Sequence, residues 1–99
     1  MDKALGLPGT PAAQIYFYGT SLLGSNRNDR ALMVFKKNSQ EHPDEPFWTG
    51  VGLARGYTAV GDKPNAIKNW ELALAHVPDS LQANVPSFEK ALLALKEGK

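Results

Sequence analysis

The chain has no cysteine, so neither a disulfide nor a thiolate metal site can brace its 99 residues. A domain of this length buries roughly 60–65% of the surface its unfolded chain exposes, and its stability is expected to be modest. An excess of either charge is also lacking. Eleven basic and ten acidic side chains leave a net charge of +1, and Lys36-Lys37 is the only adjacent basic pair. Nucleic-acid binders of this size concentrate basic residues on one face with interleaved aromatics, so that partner class is set aside. No stretch reaches the ~18 apolar residues of a spanning helix, which excludes insertion of a helix into a membrane. The cytoplasm and a bacterial envelope are both compatible with this composition.

Catalytic constellations are missing as well. His42 and His76 have no histidine or cysteine four residues on, and Pro43 interrupts Glu41-His42-x-Asp44-Glu45, so no metal is expected. None of the serines at 21, 25, 39, 80 and 87 sits in the Gly-x-Ser-x-Gly setting of an activated nucleophile. Gly50-x-Gly52 has no preceding strand and is no phosphate loop. Each of its glycines costs a helix roughly 1 kcal/mol relative to alanine, a cost that suits close approach of either a neighbouring helix or a ligand. The expectation is a non-enzyme without a cofactor.

What the chain does have is internal repetition. Gly19, Leu22, Ala31, Phe35 and Pro43 recur as Ala54, Tyr57, Ala66, Trp70 and Pro78, each 35 residues later. A fixed period in the range of roughly 20–50 residues marks units that cover one another's apolar faces. Helix signals then divide the chain. Thr10-Pro11 offers a cap and a first-turn proline, and Gly24 a left-handed stop, for a helix from about Pro11 to Leu23. Asn28 is the next cap candidate, followed by an apolar face of Ala31, Val34 and Phe35 joined by Asn38, as far as Glu41 or His42. A third helix spans about Pro46 to Val60 and stops at Gly61. Asp62 caps a fourth, whose stripe is Ala66, Trp70, Ala73, Leu74 and Val77. Asp79 to Ala83 form a turn, and a fifth helix from near Asn84 buries Val85, Phe88, Leu92 and Leu95. Glu89 replaces the small residue of Gly19 and Ala54, as suits a terminal cap whose outer side meets water. Residues 1–11 are expected to be a disordered arm.

Leu53-Ala54-x-x-Tyr57-x-x-x-Gly61, Ala66-x-x-x-Trp70-x-x-Ala73 and Pro78 together resemble the tetratricopeptide repeat, a helix-pair unit of roughly 34 residues. The earlier unit departs from the pattern at Asn26, the usual glycine, and at Asn38, the usual small residue. The resemblance covers about residues 12–97. It implies an all-α, right-handed helical-repeat solenoid of antiparallel helix pairs with five helices: repeat one 12–45, repeat two 46–79 and a capping helix at about 84–97, within a domain of 12–99. It also implies that the first helices line a concave groove for a partner peptide. Carried across by position, that groove holds Ala13, Tyr16, Phe17 and Thr20, then Trp48, Val51, Gly52 and Arg55, with Lys90 at its edge.

The residues themselves point the same way, because Leu53, Ala54 and Tyr57 fill the packing stripe of helix 3 and direct Trp48 and Arg55 elsewhere. Tryptophan and arginine are frequent interface anchors, although Trp48 could instead fold over the seam between units. The lysine, asparagine and arginine clamp with which chaperone-binding members of the family hold a terminal carboxylate is absent, since Tyr16 and Thr20 occupy its places and Arg55 alone fits. The expected function is a non-catalytic module binding a segment of another protein in a shallow groove. The alternative is the structural tail of a longer protein, docking intramolecularly or self-associating, with Leu93 as an off-stripe contact.

Overall fold

Prolines and short polar residues punctuate the chain, and the helices start and stop where these fall. A computed structural model describes residues 11–97. Within it run α1 (Ala12–Gly24), α2 (Asn28–Glu41), α3 (Pro46–Ala59), α4 (Lys63–Leu74), a 3-10 helix (Asp79–Asn84) and α5 (Val85–Lys96), with no strand among the described residues. The expected arm before Pro11 and the cap at Thr10 lie outside them.

Two helix starts differ from expectation. Pro11 is the N-cap of α1 instead of its first helical residue: its ψ of 145° is extended, and its carbonyl accepts from the amides of Gln14 and Ile15. Asn28 is the first residue of α2, and its side-chain amide donates across the fold to the Ala59 carbonyl at 3.4 Å. Asp62 caps α4 as expected, its Oδ1 accepting from the Asn65 amide.

The left-handed stop of α1 is Asn26, with φ of 61°, two residues beyond the glycine expected to supply it; Gly24 is the last residue of the helix. Gly61, 35 residues on, has φ of 85°. Around each the same pair of bonds closes. The Arg27 amide reaches the Leu22 carbonyl at 2.9 Å and Asn26 reaches Leu23 at 3.1 Å; Asp62 reaches Tyr57 at 2.8 Å and Gly61 reaches Thr58 at 3.1 Å. This is the Schellman termination, in which a left-handed residue lets two amides satisfy carbonyls of the last turn. Asparagine enters that region more readily than other residues with a side chain, which is why the first unit manages without glycine.

Packing runs mainly between neighbours in sequence. α3 lies against α1, α2 and α4, whereas α5 lies against α4 and the 3-10 helix. Phe35 of α2, fully buried, is the ring around which the first three helices close. An added Cβ at Gly19 of α1 would run into that ring, and one at Gly52 of α3 would stand 2.6 Å from its Cδ1. The close approach of three helices thus depends on missing side chains, and the buried ring contributes roughly 2–3 kcal/mol. Trp70 of α4 is the corresponding ring of the second unit, 2% exposed and 5.8 Å from the Phe88 ring of α5. Asn38 shows what the first unit does differently. It is buried where the second unit has Ala73, and its Nδ2 donates to the Ala12 carbonyl at 3.1 Å while Oδ1 has no partner among the described residues.

Candidate functional site

α1 and α3 lie side by side, and the aromatic residues of their facing turns meet across the seam. The Trp48 ring is 5.4 Å from Tyr16, 5.8 Å from Phe17 and 5.1 Å from Phe47. Trp48 folds over the α1–α3 seam and is half-buried there. Phe17 stays 59% exposed beside it. A phenyl ring left that open on a chain of this size is an unburied apolar contact, flanked by two more rings.

Arg55, on the same helix as Trp48, links this aromatic shelf to the rest of the fold. Its Nε donates to the Tyr16 hydroxyl at 2.8 Å, and its guanidinium carbon lies 5.4 Å from the centroid of the Trp70 ring. Tyr16 is thereby an almost buried ring whose hydroxyl has the partner it needs. A guanidinium over a ring and hydrogen-bonded at Nε has fewer rotamers open to it than a free one. No carboxylate of the described residues pairs with it, whereas Lys37 has Glu41 at 3.4 Å and Lys96 has Glu71 at 3.0 Å.

Beyond Arg55, α3 and α5 separate. They touch where Phe47 meets Phe88, at 5.7 Å between ring centroids. Further along both helices a cleft of about 390 Å³ opens, lined by Arg55, Thr58 and Ala59 of α3, by Trp70, and by Ala91, Ala94 and Leu95 of α5, with Leu23 and Asn28 at one end. The helices diverge there, and α5 presents alanines where larger residues would fill part of the gap. The volume is at the lower end of ligand-sized sites.

The other positions named from sequence fall in different places. Val51 is 2% exposed and Gly52 is buried against Phe35, so both are packing positions, because α3 is the central helix and is covered on most of its circumference. Gly50 packs likewise, an added Cβ lying 3.1 Å from the Asn69 carbonyl of α4. Ala13 is half-buried. Thr20 is also half-buried and directs its hydroxyl to the Phe17 carbonyl at 2.9 Å, within its own helix. Lys90 is exposed on α5, but the cleft is lined by its neighbour Ala91 instead. The cleft itself was missed by reading the sequence. Its available signal was the pair Ala91 and Ala94, small residues outside the apolar stripe of α5.

Pro43, expected to break up the acidic run after His42, folds it together. His42, Asp44 and Glu45 place one potential ligand atom each within 4.8 Å of one another, with His42 Nδ1 3.5 Å from Glu45 Oε2. The turn lies at the N-terminus of α3, whose dipole opposes a cation. No family model, no curated protein and no solved structure matches this chain.

Proposed function

We propose that the chain is a two-unit helical-repeat domain of tetratricopeptide type, a right-handed solenoid capped by α5, and that it binds a segment of a partner protein along α1 and α3. Supporting the repeat reading are the paired Schellman terminations 35 residues apart and the small residues at Gly19 and Ala54. The observation that carries the binding reading is Phe17, 59% exposed against Trp48 and close to an arginine without a carboxylate partner. Exposed aromatic and arginine side chains around a recess are the composition from which interface anchors are drawn. Two units offer little area, so affinity for a single segment is expected to be of micromolar order.

The test is selection from a displayed library of random 12-residue peptides on the wild-type chain and on a Phe17→Ala/Arg55→Glu variant shown to be folded by circular dichroism. Sequences enriched by the wild type alone support the groove, and equal enrichment on both removes it. A second reading is a structural tail that self-associates through α4 and α5, favoured by Leu72 at 42% and Leu93 at 54% exposure. Sedimentation equilibrium tests it: a mass that rises with concentration and returns to that of the monomer on Leu93→Glu supports this reading.

A further inference from the structure

The chemistry of the bound segment can be taken further, on the footing of the peptide-binding reading above. Three different surfaces follow one another along α3. At its start is the aromatic shelf of Phe17 and Trp48. Midway is Arg55, which also lines the α3–α5 cleft, and further along that cleft is walled by Thr58, Ala59, Ala91 and Ala94. The shelf and the alanine wall of the cleft are apolar, and the cation stands between them.

Arg55 is an unusual cation for a solvated surface. One N–H is committed to the Tyr16 hydroxyl, its plane lies by Trp70, and its remaining donors have no protein partner among the described residues. A lysine or a freely rotating arginine would have to give up rotamer entropy to meet an anion. Arg55 has already given up part of it to Tyr16 and Trp70, so a carboxylate meets a partly oriented fork of donors and the complex gains their charge-assisted bonds at reduced cost. Charge complementarity therefore selects the occupant.

We infer that the site recognises an extended segment bearing one carboxylate side chain between two apolar ones, with the larger on the Phe17–Trp48 shelf and a small aliphatic one in the α3–α5 cleft. The helix sets the spacing. Trp48 and Arg55 are seven positions apart and Arg55 and Ala59 four, which at 1.5 Å per helical residue is roughly 10 Å and 6 Å. An extended chain covers about 3.3 Å per residue. The acid thus stands about three residues from the large apolar side chain and about two from the small one.

The probe is an array of synthetic peptides in which phenylalanine and valine flank a central glutamate at every spacing from one to five residues, in both orders, with a parallel set carrying glutamine at the centre. Binding is read by fluorescence polarisation. The expected result is a maximum at spacings of about three and two, a loss of about tenfold on changing glutamate to glutamine, and a reversed preference, for central lysine, in Arg55→Glu. Ala94→Trp, which fills the cleft, should remove the benefit of valine while leaving the glutamate preference intact. Glutamine peptides binding as tightly as glutamate peptides, with binding still lost in Phe17→Ala, would overturn the carboxylate while leaving the groove standing. Binding unaffected by Phe17→Ala, or no binding by any peptide, would overturn the groove and the inference together.

Discussion

Phe35 and Trp70 occupy the same place in the two units, 35 residues apart, yet their surroundings differ in kind. Phe35 is enclosed by its own unit at Gly19 and by the next at Gly52 and Gly56. Trp70 has its own unit on one side, the Arg55 guanidinium of α3 included, and on the other it meets the Phe88 ring of α5. A ring seated in glycines joins two units into one packing problem. One that meets a single ring of the next helix leaves room at its side, and the cleft lies there. The same position in the repeat is thus a structural seam in one unit and the floor of a recess in the other.

The sharpest way to break this contrast is to remove the shared ring. Phe35→Ala should cost about 3–5 kcal/mol, as large aromatic truncations in cores do, and in a domain this small it should leave little cooperative unfolding in a urea titration. Trp70→Ala should cost less, because its site borders the α3–α5 cleft and α5 can settle into the space; an equal loss would show that the two seats are equivalent after all. Next comes Gly52→Ala. An added methyl 2.6 Å from Phe35 should destabilise by about 1–3 kcal/mol despite the better helix propensity of alanine. A gain in melting temperature would mean the ring can move aside.

Smaller changes test the two helix terminations. Gly61→Ala should cost about 1 kcal/mol and Asn26→Gly should gain a few tenths to about 1 kcal/mol, since both positions hold a positive φ. Thermal melts in parallel would show whether the signs oppose each other as expected. The smallest effect is expected at Asn38. Replacing it by alanine, the residue the second unit has there, loses one hydrogen bond but also removes a buried oxygen without a partner. The two terms are of similar size, and stability should change by less than about 1 kcal/mol.

The helices were legible in the sequence because their signals are local. The apolar face of α2 is buried as the periodicity indicates, and so are Ala66, Trp70 and Ala73 of α4, whereas Leu74 is half-buried and Val77 falls beyond the end of that helix; Asp62 announces its cap. The left-handed position at Asn26 was not read, because Gly24 offered itself as the stop and asparagine alone does not mark the turn. What could not be read was how many neighbours a helix has. Val51 and Gly52 lie off the stripe of Leu53, Ala54 and Tyr57, and a helix with one covered face would expose them. With α1, α2 and α4 all against it, α3 buries residues on both sides of that stripe. The groove residues that remain are those near its ends and edges: Trp48, Arg55, and Phe17 opposite. The gap beside α5 was hidden for a related reason. Small residues off an apolar stripe read as solvent-facing, and only the angle between two helices turns them into a wall.

Because α5 leans on α4 and the 3-10 helix, and reaches α3 through the Phe47–Phe88 contact, it is the described α-helix with the least to lose by detaching. Amide hydrogens of α1 to α3 should exchange together at the rate set by whole-molecule unfolding, since Phe35 ties those helices to one another. Those of α5 should exchange sooner, through a partial opening that leaves the rest intact. That same opening would widen the wall formed by Ala91 and Ala94, so the protection factors of α5 and the rate at which anything enters or leaves the recess should rise and fall as one quantity.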